Sequence, residues 1–226
     1  MKIKNLLFPA FILFIISCKK NSTTNTPQPQ DSYLTTTTGS TWNYHQTDSS
    51  GSTPVNTDYT VTSAAKDTLV NGRSYHVFNL STGSNQCLNI SGNDYYQYDS
   101  LPAGLGTAVF ERLYLKDNVS IGSSWAQSTN VTVPGIPFPV PVTLTYQISE
   151  KGISRTVNAI TYNDVIHVST TISSALIPSA SLTSSIHSYY AKKYGLIENS
   201  TIIKLDYTGI VENVNIDTKL VSATLL

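Results

Sequence analysis

The chain has 226 residues, with 14 Lys+Arg against 14 Asp+Glu and only 12% charged residues, about half the usual share. Zero net charge excludes the electrostatic footprint that holds a nucleic-acid backbone, while 40% hydrophobic and 10% aromatic residues exclude a disordered chain. Serine and threonine number 29 each, and the length fits one domain or two fused halves.

Lys2 and Lys4 precede an apolar run of eleven residues, Leu6 to Ile16, broken by Pro9. That is too short to cross a hydrocarbon core of about 30 Å as a helix, and it fits the core of a signal peptide. The run ends Ile15-Ile16-Ser17-Cys18, which resembles the bacterial lipobox. The resemblance implies that signal peptidase II removes residues 1–17 and that Cys18 is acylated, joining the chain to a membrane through its N-terminal lipid. Loss of Lys2 and Lys4 leaves 12 basic against 14 acidic residues, a net charge of −2. It also leaves Cys87 without a second thiol, so no internal disulfide is expected, and Cys87 reads as a small buried hydrophobe. Residues 18–31 then form the lipidated cysteine and a tether. Residues 19–31 hold no large apolar side chain, and Pro27 and Pro29 favour extended backbone. Lys19 and Lys20 are placed to face lipid headgroups.

Residues 32–226 read as a single all-β domain. Leu144, Tyr146 and Ile148 alternate with Thr143, Thr145, Gln147 and Ser149; Ile203, Leu205 and Tyr207 alternate with Lys204 and Asp206; Tyr59 and Val61 alternate with Thr60 and Thr62. Period two marks antiparallel strands with one wet face. Turn signals punctuate it at Ser50-Gly51, Asn71-Gly72, Gly92-Asn93, Asp117-Asn118, Lys151-Gly152 and Thr208-Gly209. The expectation is a meander of about 10–13 strands, a number that tends to curl, forming an open, barrel-like sheet. A two-sheet β-sandwich is the alternative.

The chain also echoes itself. Gly39-Ser40-Thr41-Trp42 returns as Gly122-Ser123-Ser124-Trp125, Val70–Tyr75 as Val157–Tyr162, and Tyr95-Tyr96 as Tyr189-Tyr190. The order suggests repeat halves, 39–121 and 122–226. Ala159 stands where the first half has Gly72, so the second turn is expected to differ from the first.

Gly39–Tyr44, Val157–Val168 and Ser188–Glu198, with its Tyr-Tyr-Ala-Lys and Gly-Leu-Ile, resemble the uncharacterised small lipoproteins of the Bacteroidota. Lys193 and Tyr194 depart from the Gly-Val that often stands there. The resemblance implies an all-β lipoprotein of the cell envelope, held at the outer membrane. Lys19-Lys20, in place of the acidic residues that follow the cysteine in many surface lipoproteins of that group, imply that it faces the periplasm. It implies no activity.

The chain lacks Gly-x-Ser-x-Gly, His-Glu-x-x-His, Gly-x-x-x-x-Gly-Lys and Asp-x-Asp-x-Asp-Gly. The four histidines never pair at ligand spacing; His76 and His167, in matching strands, read as hydrogen-bonded rather than metal-binding. Asp94 and Asp99 read as turn caps and Glu111 as water-facing, rather than as a carboxylate pair for glycoside hydrolysis. No catalytic residue, metal or cofactor is expected. Two features could make contacts. Tyr95, Tyr96 and Tyr98 with Tyr189 and Tyr190 could form an aromatic surface, although adjacent tyrosines point to opposite faces and one of each pair belongs to the core. The proline-rich loop Val133–Val142 carries Ile136 and Phe138, which either meet a lipid or protein partner or fold back to plug the barrel. Trp42 and Trp125 read as core anchors. The functional expectation is a lipid-anchored β-domain with a non-enzymatic binding or structural role toward a protein, lipid or glycan. A lipid or lipoprotein carrier with an apolar half-barrel cavity is the alternative, and an envelope hydrolase the last.

Overall fold

The computed structural model describes residues 32–100, 108–133 and 136–226; the leader, Cys18 and the tether lie outside them. The described residues form twelve strands and no helix. The first six are β1 (Thr41–Asp48), β2 (Val55–Val70), β3 (Arg73–Leu80), β4 (Asn85–Ser91), β5 (Asp94–Ser100) and β6 (Val109–Lys116). The second six are β7 (Ser124–Val131), β8 (Val140–Val157), β9 (Ile160–Ser173), β10 (Leu182–Ala191), β11 (Gly195–Tyr207) and β12 (Ile210–Thr224).

Among the described residues neighbouring strands pair antiparallel, in the order β6-β5-β4-β3-β2-β1-β12-β11-β10-β9-β8-β7. Pairing of β1 with β12 curls the meander into a nearly closed barrel with one unsealed seam, between β6 and β7. Closing a sheet removes its sticky edges, and here two side chains do part of that work. The Trp125 indole N–H donates to the Leu113 carbonyl at 2.7 Å, and the Leu113 N–H donates to Gln127 Oε1 at 2.6 Å. Trp125 is held for this by stacking on Tyr146, 5.5 Å away and 9° from parallel.

The alternation in the sequence becomes the inside and outside of the barrel. Leu144, Tyr146, Ile148, Ile203 and Leu205 are all buried, while Thr145 and Gln147 are not. Because the strands run up and down, odd-numbered strands start at one end, called the tether end because residue 32 enters there. Ser32 O accepts from Lys193 N at 2.8 Å, Tyr33 N donates to Tyr95 Oη at 3.0 Å, and Tyr33 and Leu34 are buried. The lead-in segment therefore caps the tether end. At the far end lies the loop between β7 and β8.

Both Gly-Ser-x-Trp segments open the first strand of their six. Gly39 N donates to Ser63 O and Ser63 N to Ser40 O; Gly122 N donates to Ile148 O and Ile148 N to Ser123 O. Pairing then slips just beyond Ser63 in β2 and just beyond Ile148 in β8. The third echo does not keep this phase: Tyr95-Tyr96 fall in β5, the fifth strand of its set, and Tyr189-Tyr190 in β10, the fourth. The expected difference between the two hairpin turns is not found. Asn158 and Ala159 have φ of 47° and 66°, against 50° and 82° for Asn71 and Gly72. Two-residue hairpins demand that left-handed pair to match strand twist. Asn158 Nδ2 donates to Leu220 O at 2.9 Å, which ties the turn to β12 and holds Ala159 in place.

Candidate functional site

Twelve strands enclose more space than eight, whose side chains suffice to fill a small barrel. The space left over is an interior cavity of about 430 Å³. Its lining comes from every strand except β7 and β12: Trp42 and Tyr44 on β1, Phe78 on β3, Gln97 on β5, Arg112 and Tyr114 on β6, Leu144 and Tyr146 on β8. Leu34, Tyr194 and Gly195 border it at the tether end. Where β7 passes over the seam, Trp125 stacks on the lining residue Tyr146.

Much of the polar lining is satisfied within the wall. Asn199 Nδ2 donates to Ser188 Oγ and Thr201 Oγ1 to Asn199 Oδ1, each at 2.9 Å, and Tyr44 Oη donates to Leu196 O at 2.8 Å. The Trp42 Nε1 and Tyr146 Oη atoms are buried without a hydrogen-bond partner. Leaving such a group unpaired costs about 1–3 kcal/mol. Burial pushes the hydroxyls of Tyr59 and Tyr190 up to about 12 and raises those of Tyr44, Tyr114 and Tyr146 as well, so none of these five ionises at physiological pH. Arg112 adds a positive charge that opposes the rise at Tyr114, Tyr146 and Tyr190. At Tyr146 the Arg112 guanidinium lies beside the hydroxyl and favours its charged form.

The residues singled out in the sequence are divided by the barrel wall. Tyr95 and Tyr190 are core residues, 1% and 8% exposed, and belong to no surface. Period two sends Tyr96 and Tyr189 outward, and each ring is covered by an arginine: Arg73 lies 3.6 Å over Tyr96 and Arg155 3.3 Å over Tyr189. Tyr98 packs on Tyr75 at 6.1 Å. These five tyrosines therefore do not make one open platform. Ile136 and Phe138 are also split. Ile136 is buried in the core cluster at the far end, whereas Phe138 is 51% exposed. Ile136 thus packs into the core rather than standing on an exposed face. Glu111 does not face water freely: it takes Arg73 Nε at 2.9 Å and the Tyr75 hydroxyl. Asp94 pairs with Lys116 at 3.3 Å; the Asp99 side chain lies outside the described atoms.

A second polar cluster crosses the outer face of β8, β9 and β10. Ser185 Oγ lies 3.0 Å from His187 Nε2, His187 Nδ1 lies 2.9 Å from His167 Nε2, and His167 Nδ1 lies 3.0 Å from Glu150 Oε2. One proton assignment satisfies the chain, with both imidazoles neutral and protonated on Nδ1. His76 is bonded too, to Ser63 Oγ and to Asp67, each at 2.8 Å. Among the described residues, no group of three or more His, Cys, Asp or Glu side chains is arranged to hold a metal ion.

Among the lining residues that sequence reasoning did not assign to a site are Trp42 and Arg112. Trp42 is in the core as expected, 3% exposed, yet it faces the cavity. Arg112 shares its face of β6 with Phe110 and Tyr114, two residues to either side, and that shared face was the available signal for an inward guanidinium. No sequence signal marks a Trp whose N–H lacks a partner.

No protein-family model matches the chain, and neither does any curated protein. Two solved structures are similar over most of its length. One is a candidate lipoprotein from Parabacteroides distasonis, 11% identical, with a TM-score of 0.47 over 87% of this chain and 100% of the other. The second is a candidate exported protein with a YmcC-like fold from Bacteroides fragilis, 8% identical, with a TM-score of 0.42 over 86% of this chain and 99% of the other.

Proposed function

We propose that this chain is a lipid-anchored domain of the cell envelope that holds a small hydrophobic molecule inside its barrel, without catalysing a reaction on it. The observation that carries the reading is the interior cavity of about 430 Å³, walled mostly by aromatic and aliphatic side chains. That volume lies within the range of small-molecule sites, about 300–1,000 Å³, and such sites combine an apolar wall with few polar groups. The lipobox-like Ile15–Cys18 and the tether through residue 31 support anchoring at the outer membrane, on the periplasmic side. Because residue 32 enters at the tether end, the anchor would hold that end toward the lipid, with Phe138 at the opposite end.

Titration of the full chain with an uncharged naphthylamine, which fluoresces in apolar surroundings, tests the reading. One saturable site is expected. Leu88→Trp, which fills part of the cavity from β4, should abolish that site while leaving the β-type circular dichroism intact. Equal binding by wild type and Leu88→Trp, or no binding at all, would contradict an interior site.

A further inference from the structure

We infer that the molecule held in the cavity is a long-chain acyl compound whose carbonyl or carboxyl oxygen accepts the Trp42 indole N–H; this rests on the reading of the cavity as a ligand site. Indole nitrogen is a donor only, so Trp42 Nε1, buried and without a partner in the cavity wall, calls for an acceptor. A pure hydrocarbon cannot supply one. A single water is a poor occupant, because a buried water needs two to four polar partners. Trp42 instead sits between Val61 and Ala223 in the ladder, with Phe78 edge-on at 5.8 Å. One oxygen carried on an apolar chain fits that setting.

The cavity is also long. On β11 its border runs from Gly195 to Thr201, about 20 Å of strand at roughly 3.3 Å per residue. On β10 it runs from Ile186 to Tyr190, and on β9 from Val168 to Ile172. An extended chain uses such a space better than a compact ring does. A second wall group, the Tyr146 hydroxyl beside Arg112, can donate as well as accept, so it can serve a free acid or an ester.

The test displaces the naphthylamine from the full chain carrying Cys18→Ser, so that no attached lipid competes. Three probes of equal chain length are compared: hexadecanoic acid, its methyl ester and hexadecane. Wild-type Trp42 should favour the acid or the ester over the alkane by roughly tenfold, the worth of one hydrogen bond that would otherwise go unmade. Whether acid or ester binds tighter separates a free fatty acid from an esterified lipid. Trp42→Phe keeps an aromatic ring and removes the donor, so it should bring the ratio of methyl-ester to hexadecane affinity down to about one, whatever happens to either affinity alone; the acid also meets the Arg112 guanidinium in the cavity wall. Equal affinity for all three probes in the wild type, which needs no variant to fold, would overturn the acyl assignment while leaving the cavity site standing. So would a preference for the ester over hexadecane that survives Trp42→Phe. Failure of both the naphthylamine and every probe to bind would instead overturn the cavity reading itself.

Discussion

Two tryptophans follow the same Gly-Ser step and end in opposite states. Trp125 spends its N–H on the Leu113 carbonyl across the seam, whereas Trp42 keeps its own N–H unpaired in the cavity wall. Residue type and local spacing are identical, so the difference comes from the neighbouring strand: β7 faces an unpaired edge, and β1 lies between two paired strands. Histidine behaviour is likewise set by neighbours. Burial holds the His167 pKa below the ordinary 6.5, with Glu150 pulling the other way and His187 and Arg155 adding to the depression. The neutral imidazole is then the folded form. Its contribution to stability is complete above about pH 6.5 and is lost as pH falls through the depressed value. Thermal melts at about pH 7.5 and about pH 5 should show a larger fall in Tm for wild type than for His167→Asn; equal falls would remove His167 from the account. At this scale, which tyrosine of each pair points inward could not be read, because Tyr-Tyr offers two equivalent registers and only the neighbouring strands decide between them.

Strands and turns were the most legible level. Period two at Leu144–Ile148 and at Ile203–Leu205 reports a buried face directly, since those side chains have nowhere else to go. The turn at Asn158-Ala159 was misread because sequence reasoning weighed the penalty on Ala alone. That penalty for a left-handed residue is about 1–2 kcal/mol, and the flanking ladder from Val157↔Ile160 together with the Asn158 bond to Leu220 O overrides it. Ala159→Gly should therefore stabilise the fold by about 0.5–1 kcal/mol, the steric relief less the extra chain entropy of Gly. In Tm that is a rise of about 1–4 °C for a domain of this size. A fall in Tm would show that the turn stores no strain. The seam was not legible at all, because nothing in Val109–Lys116 or Ser124–Val131 marks an edge strand. Its signal is a Trp and a Gln whose side chains stand in for a missing ladder.

At the scale of the whole molecule, curling into a barrel followed from strand number, but the state of the interior did not. Alternation shows that one face is turned away from water; it does not show whether the opposite walls meet. They fail to meet here by about 430 Å³, while Tyr33 and Leu34 are buried at the tether end and Ile136 at the other. A hollow middle leaves room for a ligand, as proposed above, and acylation at the lipobox-like Ile15–Cys18 would keep the domain at a membrane, next to a source of acyl chains. Native mass spectrometry of the full-length gene product, gently extracted from membranes, tests this most directly. The account predicts a chain beginning at an acylated Cys18 that carries one additional non-covalent lipid mass, released when the protein is unfolded and reduced in Leu88→Trp. A mature chain that is always empty, under extraction conditions that preserve the fold, would contradict it.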